Sequence, residues 1–224
     1  MSRAFVLWTG GKDPYYALLR CRQAGMFPEL LVTFIDEETD LVLSNHLPPE
    51  LILEQASQIG VPLMKVRASI LSYEQEVRNL FFDLRSEGIT RAVFGDIART
   101  DLRTWYEERL VDVDMRGIFP NWGLPELLLV ERQIALMKST IIRIDRTLSP
   151  AYLGRLLDGE FIEYLAEKGN DPSGESGDYD TFVTDGPLHK HPIILTHAER
   201  LATPESLTLD IDFWKVGLGK GSRE

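Results

Sequence analysis

Apolar positions along the first half of the chain follow two different periods. Short runs rich in β-branched and other apolar residues, at 4–8, 30–35, 63–66 and 92–95, read as strands covered on both faces, because few polar positions interrupt them. Between them, segments 14–24, 48–59, 72–87 and 100–114 carry apolar residues at helical spacing. Strand and helix in alternation predict an α/β fold, a parallel sheet with helices on both faces. Ligands of such sheets bind outside the carboxyl ends of the strands. Three of those ends carry unusual residues: the segment after Trp8, the acidic stretch Asp36 to Asp40, and Gly95-Asp96.

The alternation stops near Phe119-Pro120-Asn121-Trp122-Gly123-Leu124-Pro125, where two prolines and a glycine fall within seven positions. A domain change is expected there, with 1–120 as the parallel-sheet domain, 121–216 as a smaller C-terminal α+β domain and 217–224 as a mobile tail. In the second part, 124–137 reads as a helix, 138–144 as a strand, and 150–157 and 159–168 as short helices. A polar loop covers 169–177. Segments 179–184 and 192–196 are expected to pair as strands around Asp185-Gly186-Pro187, and the alternation at 207–214 predicts an edge strand.

The first strand runs directly into Thr9-Gly10-Gly11-Lys12-Asp13-Pro14 and a helix. Two adjacent glycines let the backbone approach an anion closely, and the first amides of the following helix carry the positive end of its dipole. The spacing excludes the Gly-x-x-x-x-Gly-Lys phosphate loop and the Gly-x-Gly-x-x-Gly dinucleotide loop. Pro14 suits a first helical turn, where its missing amide hydrogen has no partner to lose. Asp13 serves equally as an N-cap, so from the residues alone both a phosphate loop and an ordinary helix start remain open.

Composition narrows the functional classes. The chain has 224 residues, 44% of them apolar, enough for one large or two modest cores. No segment approaches the roughly 20 apolar residues of a membrane span, and residues 5–8 are too short an apolar run for a signal peptide, so a cytoplasmic location is expected. One cysteine, Cys21, excludes an internal disulfide and a Cys-x-x-Cys site, and its apolar neighbours predict burial. A net charge of −11 argues against a large nucleic-acid surface. It also means that a bound polyphosphate needs compensation from Mg²⁺, Lys12 and helix-end amides, with Asp13 a candidate ligand of the metal. The four histidines, His46, His189, His191 and His197, lack zinc-ligand company and are expected at the surface or at strand ends.

A second unusual passage lies at Ser173 to Pro187. Glu175, Asp178, Asp180 and Asp185 fall within eleven positions, interleaved with glycines and hydroxyls. The residues alone allow a cation site, a pocket for an ammonium or amine, or a solvated acidic turn.

Thr9 to Pro14 resembles the Ser-Gly-Gly-x-Asp-Ser pyrophosphate loop of the ATP pyrophosphatases, with Thr9 for the first Ser and Pro14 for the last. Together with Gly174, Glu175, Gly177, Asp178, Tyr179, Thr181, Phe182, Asp185, Gly186, Pro187 and Leu188 in the second passage, the chain resembles the diphthine–ammonia ligase (diphthamide synthase) family. Between the two motifs, Phe94 to Ala98 with Asp101, Arg103 and Glu107, and then Phe119 to Trp122, are similar to the middle motifs of related enzymes. Ser173, Ser176 and Asp180 depart from the commoner residues of the second motif.

The resemblance implies a Rossmann-like sheet of the HUP type and an AMP-forming amide ligase: a carboxylate is adenylated by ATP with release of pyrophosphate, and ammonia then displaces AMP. Thr9, Gly10, Gly11, Lys12, Asp13, Phe34, Gly95 and Asp96 are the implied ATP-binding positions. Lys12, Asp13, Glu175 and Asp178 are the implied catalytic ones, with Asp13 near magnesium. Asp101, Arg103, Gly174, Glu175, Gly177, Tyr179 and Thr181 are implied to face the acceptor. The family's acceptor is diphthine, a modified histidine of elongation factor 2 in eukaryotes and archaea; elsewhere the acceptor would be another, unknown carboxylate. No glutaminase nucleophile is visible, so ammonium would come from solution or a partner. A nucleotide sensor without turnover and a tRNA-modifying enzyme are the alternatives, the latter disfavoured by the acidic composition. A homodimer is left open by a single sequence.

Overall fold

The structure, a computed structural model, describes residues 3–218. By contacts the chain divides into two units. The first holds the chain up to Thr9, Asp13–Pro49 and Val61–Gly123; the second holds Gly10–Lys12, Glu50–Gly60 and the chain from Leu124 onward. Two short segments of the N-terminal half therefore group with the C-terminal sequence.

In the first unit, β1 (Arg3–Leu7), β2 (Leu30–Asp36), β3 (Leu63–Ala68), β4 (Ile89–Val93) and β5 (Arg116–Ile118) form one parallel sheet in the order β3-β2-β1-β4-β5. Helices α1 (Lys12–Gln23), α2 (Pro49–Ile59), α3 (Tyr73–Ser86) and α4 (Thr100–Val111) alternate with the strands along the chain, although α2 from Glu50 onward groups with the second unit. Strand β1 is buried on both faces, as its unbroken apolar run demands. Phe5, Val32, Ala92 and Phe94 face α3 and α4, where Val77, Leu80, Phe81 and Leu84 make a helical stripe at spacings of three and four. The Phe5 and Phe81 rings lie 6.0 Å apart. The alternate residues turn to the opposite face, where Trp8 meets Tyr15 of α1 at 6.2 Å. Cys21 is buried on α1, and burial pushes its thiol up to about 11, so it is an inert core residue.

The chain moves outward from β1 through β2 to β3, then returns past β1 to β4 and β5. With right-handed crossovers this reversal puts helices on both faces and creates a topological switch point between the carboxyl ends of β1 and β4. Strand β5 carries no signal in the sequence: it has three residues, two of them Arg116 and Gly117, and it is recruited by pairing with β4 rather than by any apolar run.

The second unit contains an antiparallel sheet of β6 (Lys138–Asp145), β7 (Tyr179–Asp185), β8 (Ile193–Ala202) and β9 (Ser206–Val216), with α5 (Glu126–Leu136) and α6 (Gly159–Lys168). Helix α6 matches its expected bounds because both caps are written in the sequence. Asp158 accepts a hydrogen bond from the Phe161 amide, and Gly169 closes the helix at φ 75°. Three expectations fail here. The strand order is β7-β6-β9-β8, so β7 pairs with β6, β8 pairs with β9, and 179–184 does not pair with 192–196. Pro187 and Pro192, which lack amide hydrogens, interrupt any direct ladder between those segments. Strand β9 is interior, flanked by β6 and β8. The helix expected over 150–157 is a single 3₁₀ turn, Pro150–Tyr152; after it Gly154 takes φ 86° and the chain pairs with Ile141 instead. The tail at 217–224 lies mostly outside the described residues. No helix among the described residues is long and apolar enough to cross a membrane.

Candidate functional site

The residues at the switch point are held by backbone contact and by two asparagines. Gly95, just after β4, packs directly on the start of α1: a Cβ there would sit 2.6 Å from the Pro14 nitrogen and 2.9 Å from the Asp13 carbonyl carbon. Only glycine allows the two backbones to approach so closely. Asn121, fully buried, donates from Nδ2 to the carbonyls of both Asp13 and Gly95, each at 3.0 Å. Asn45 donates to the Thr9 carbonyl at 2.8 Å. Asn45 gives no signal in the sequence, and Asn121, though it stands in the Phe119–Trp122 motif, is assigned no role there, because an Asn in a loop reads as a turn residue.

Beyond Gly95 lies an aromatic group of which the sequence singled out Phe34 alone. Tyr73 and Tyr106 share a hydrogen bond of 2.7 Å between their hydroxyls, and Phe34 meets Tyr73 edge-on at 4.7 Å. Burial raises the Tyr106 hydroxyl well above its ordinary value, with Tyr73 and the nearby Asp96 charge adding to the shift. Asp96 thus stands close to this buried pair. Phe34 is a core residue, 6% exposed, whose side chain packs the sheet and whose carbonyl accepts from the Leu43 amide at 2.9 Å.

The middle motif sits on α4. Asp101 pairs with Arg99 at 2.7 Å, which pulls its carboxyl down to about 2. Arg103 bonds Glu107 at 2.9 Å and places its guanidinium over the rings of Phe119 at 4.7 Å and Trp122 at 4.6 Å. Stacking of this kind fixes the side chain and anchors the segment after β5.

In the second unit the glycine turn and the second motif form one hydrogen-bonded piece. The Val183 amide donates to the Gly10 carbonyl at 3.0 Å, extending β7 onto the turn. Gln55 of α2, fully buried, donates to the carbonyls of Gly10 at 3.0 Å and Val183 at 2.8 Å. Gly10 has φ 82°, a left-handed conformation that glycine accepts without strain. Lys12 is 3% exposed; its amide donates to Thr181 Oγ1 at 3.2 Å, its ammonium donates to the Ser173 carbonyl at 2.6 Å, and the ammonium lies 5.3 Å from the centre of the Tyr179 ring. Four residues singled out in the sequence, Gly10, Lys12, Tyr179 and Thr181, are thus brought together.

The loop holding Glu175 is organised by Asp171, which accepts from the Ser173 amide and hydroxyl, both at 2.7 Å, and from the Ser176 amide at 3.3 Å. Gly174, at φ 71°, lies against the Tyr179 ring, where a Cβ would come within 2.7 Å. Gly177, at φ 86°, donates its amide to the Gly174 carbonyl at 3.0 Å and closes the turn. Tyr179 donates its hydroxyl to the Pro172 carbonyl at 2.8 Å. Asp178 accepts from Asn170 at 3.1 Å, so its carboxylate braces the loop. Asp180 is paired with Arg143 on β6. The charge of Asp171, then burial, then a hydrogen bond with Asp171 and the charge of Glu175 raise the Glu126 carboxyl above its ordinary value.

Among the described residues no group of three or more His, Cys, Asp or Glu side chains could hold a metal ion. Of the histidines, His46 and His197 are exposed, whereas His189 is buried at 6% exposure, against expectation, and its amide caps the turn at Gly186.

A parallel sheet whose first strand empties into a Thr-Gly-Gly-Lys-Asp turn, with a close-packed glycine across the switch point, defines a Rossmann-like nucleotide-binding protein with a pyrophosphate loop. Models of two diphthamide synthase domains match the chain, the N-terminal domain over residues 2–116 and the C-terminal domain over 125–212. The chain belongs to the diphthamide synthase family, an ATP-binding, ATP-pyrophosphatase-like family of enzymes. Among curated proteins none matches it. Among solved structures it is similar to one described as a predicted subunit of tRNA methyltransferase from Methanocaldococcus jannaschii, at 16% identity and a TM-score of 0.46, covering 84% of this chain and 98% of that one.

Proposed function

We propose that the protein is an AMP-forming, ATP-dependent carbon–nitrogen ligase that converts a carboxylate to its amide. A carboxylate oxygen attacks the α-phosphorus of ATP, the bond to the bridging oxygen breaks, and pyrophosphate leaves. The nitrogen of ammonia then adds to the activated carbonyl carbon, and the C–O bond breaks with its electron pair departing on AMP. The surplus proton of the added nitrogen passes to solvent. Adenylation exchanges a poor leaving oxygen for a good one, and the protein's part is positioning and charge neutralisation.

The observation that supports this reading is the Lys12 network. A buried ammonium next to two glycines has to be neutralised or bonded, and one of its bonds here goes to the Ser173 carbonyl. Exchange of the Ser173 carbonyl for a phosphate oxygen would give that charge a stronger, charge-assisted partner. Gly10, Gly11 and Lys12 would then hold the leaving phosphates, with Thr9 as a hydroxyl donor. The same exchange frees the Ser173–Gly177 turn, so nucleotide binding and the acceptor loop are coupled through one side chain. Glu175 and Asp178 would face the acceptor or attract ammonium, and Asp101 and Arg103 are proposed on the acceptor side as well.

The donor set fits magnesium only as a partner of the polyphosphate. Mg²⁺ keeps several waters and takes one or two carboxylates together with substrate phosphates, and the half-buried Asp13 supplies one such carboxylate. When bound, the ion would neutralise charge on the departing pyrophosphate. The acceptor is a carboxylate, diphthine only in an organism that makes it, and the expected compartment is the cytoplasm.

The test is product analysis of Mg-ATP and ammonium incubated with the protein and fractionated cell extract. The expected outcome is AMP and pyrophosphate with an acceptor-bearing fraction, lost in Lys12→Ala. ADP and phosphate would exclude a ligase of this kind. ATP that binds and stays intact in every fraction would favour the second reading, a nucleotide-binding paralogue without turnover, for which Pro14 in place of a hydroxyl-bearing residue is the motivating feature.

A further inference from the structure

We propose that Asn121 is a positioning residue of the nucleotide crevice, a clamp that fixes the loop after β1 against the loop after β4. This rests on the reading that an adenine nucleotide binds at the switch point. Asn121 lies in the segment after β5 and is fully buried. Its amide group spends both hydrogens on backbone carbonyls from two different loops, Asp13 and Gly95, each at 3.0 Å. The two donors define which way the amide faces, since the reverse orientation would set its oxygen against two carbonyl oxygens. Its Oδ1 has no hydrogen-bond partner.

A buried acceptor without a partner carries a desolvation cost, and a Leu of similar size would fill the same space without it. Asparagine is therefore explained by what its two donors hold. What they hold is the contact at which Gly95 meets the backbone of Asp13 and Pro14. The segment bearing Asn121 is itself tied to the β4 loop, because the Gly123 amide donates to the Ile97 carbonyl at 3.0 Å and the Phe94 amide to the Ile118 carbonyl at 2.9 Å. One side chain thus joins the loops after β1, β4 and β5 at the carboxyl edge, where such sheets bind their ligands. The distance between the β1 and β4 loops sets the width of the crevice, so the clamp acts on nucleotide affinity through backbone placement.

The experiment is calorimetric titration with α,β-methylene-ATP of the wild type, Asn121→Leu and Asn121→Asp, with the thermal midpoint of each recorded. Asn121→Leu is expected to weaken binding by about tenfold or more and, by leaving the Asp13 and Gly95 carbonyls without their donor, to lower the midpoint as well. Asn121→Asp is expected to bind poorly at neutral pH, where a carboxylate faces two carbonyls, and to regain affinity relative to the wild type on acidification, when its hydroxyl can donate to one of them. That pH-dependent rescue reads the clamp even if the Leu variant fails to fold. Wild-type affinity in both variants, a loss of stability with no change in affinity, or a wild-type pH profile in the Asp variant would each overturn the proposal. If the wild type binds no adenine nucleotide, the nucleotide reading fails, and the clamp is then judged by amide hydrogen exchange at 13–17 and 95–98: faster exchange in the Leu or Asp variant upholds it, and unchanged exchange refutes it.

Discussion

The two units hold their motif residues in place with different weights of main chain and side chain. In the first, the switch-point loops meet main chain on main chain and asparagine side chains brace the contact: Gly95 admits the Pro14 backbone so closely that no side chain fits between them. In the second, the glycine turn is set by side chains, with Gln55, Thr181 and Lys12 each bonding across to a backbone group or a neighbouring strand. The sheets differ in the same way. Strand β1 is sealed on both faces by apolar residues, while β8 is exposed along nearly its whole length. Rigid packing suits a fixed crevice, whereas a turn held by exchangeable polar bonds can trade one partner for another when a ligand arrives.

Substitutions at the two glycines and their partners put this contrast to the test. The largest effect is expected at Gly95→Ala, whose Cβ would meet backbone atoms at 2.6 and 2.9 Å that cannot rotate away. A loss of about 2 kcal/mol in urea unfolding is expected, together with weaker nucleotide binding; a variant as stable as the wild type would show that the loops can part at no cost. Gly10→Ala should cost less, about 1–2 kcal/mol for a left-handed φ, because the atom it meets at 2.6 Å is the Cδ1 of Ile52, the end of a flexible side chain. Pairing it with Ile52→Val should recover the part of the packing cost owed to Ile52 and leave the backbone part and the closer approach to the Phe182 ring, at 3.1 Å, a split that the Gly95 site does not permit.

Thr181→Val tests the polar side of the contrast with no change of shape. It removes the acceptor of the Lys12 amide and should cost about 1 kcal/mol, read in the same unfolding experiment; no cost would mean the bond is replaced by solvent.

How much of this could be read from the chain follows from the same difference. Strands of the first unit are continuous apolar runs between helices, so β1 to β4 and the switch-point glycine were legible; β5 was not, because a three-residue strand with Arg116 and Gly117 has no period to detect. In the second unit, α6 was legible through Asp158 and Gly169, but the pairing of β6 to β9 was not. Antiparallel partners are chosen by register and turn geometry between distant segments, and Pro187 and Pro192 diverted the chain where adjacency suggested a hairpin. Lys12, Thr181 and Tyr179 were recognisable by motif, while their contact was not, since nothing local ties residue 12 to residue 181. The roles of Gln55 and Asn121 were invisible for a further reason: a polar residue on a helix or in a loop is assumed to face solvent until its carbonyl partners are known.

The smallest effect is electrostatic. The Glu126 carboxyl is raised above its ordinary value, first by the charge of Asp171. A raised acid favours the folded state below its unfolded pKa, and that contribution is lost as pH climbs through the folded value. Glu126→Gln should therefore raise the thermal midpoint at neutral pH, by about 1 °C because the site is exposed and screened. It should change nothing below the ordinary carboxylate range, and a stabilisation that persists there would place the cause outside this repulsion.

The most direct measurement of the central claim, that the glycine turn and the second motif answer to a polyphosphate as one piece through Lys12, is amide hydrogen exchange with and without Mg-α,β-methylene-ATP. Exchange is predicted to change together at 10–12 and at 173–183 when the nucleotide binds, and the response at 173–183 should vanish in Lys12→Ala. A nucleotide that alters exchange at the turn while leaving 173–183 untouched in the wild type would contradict the account.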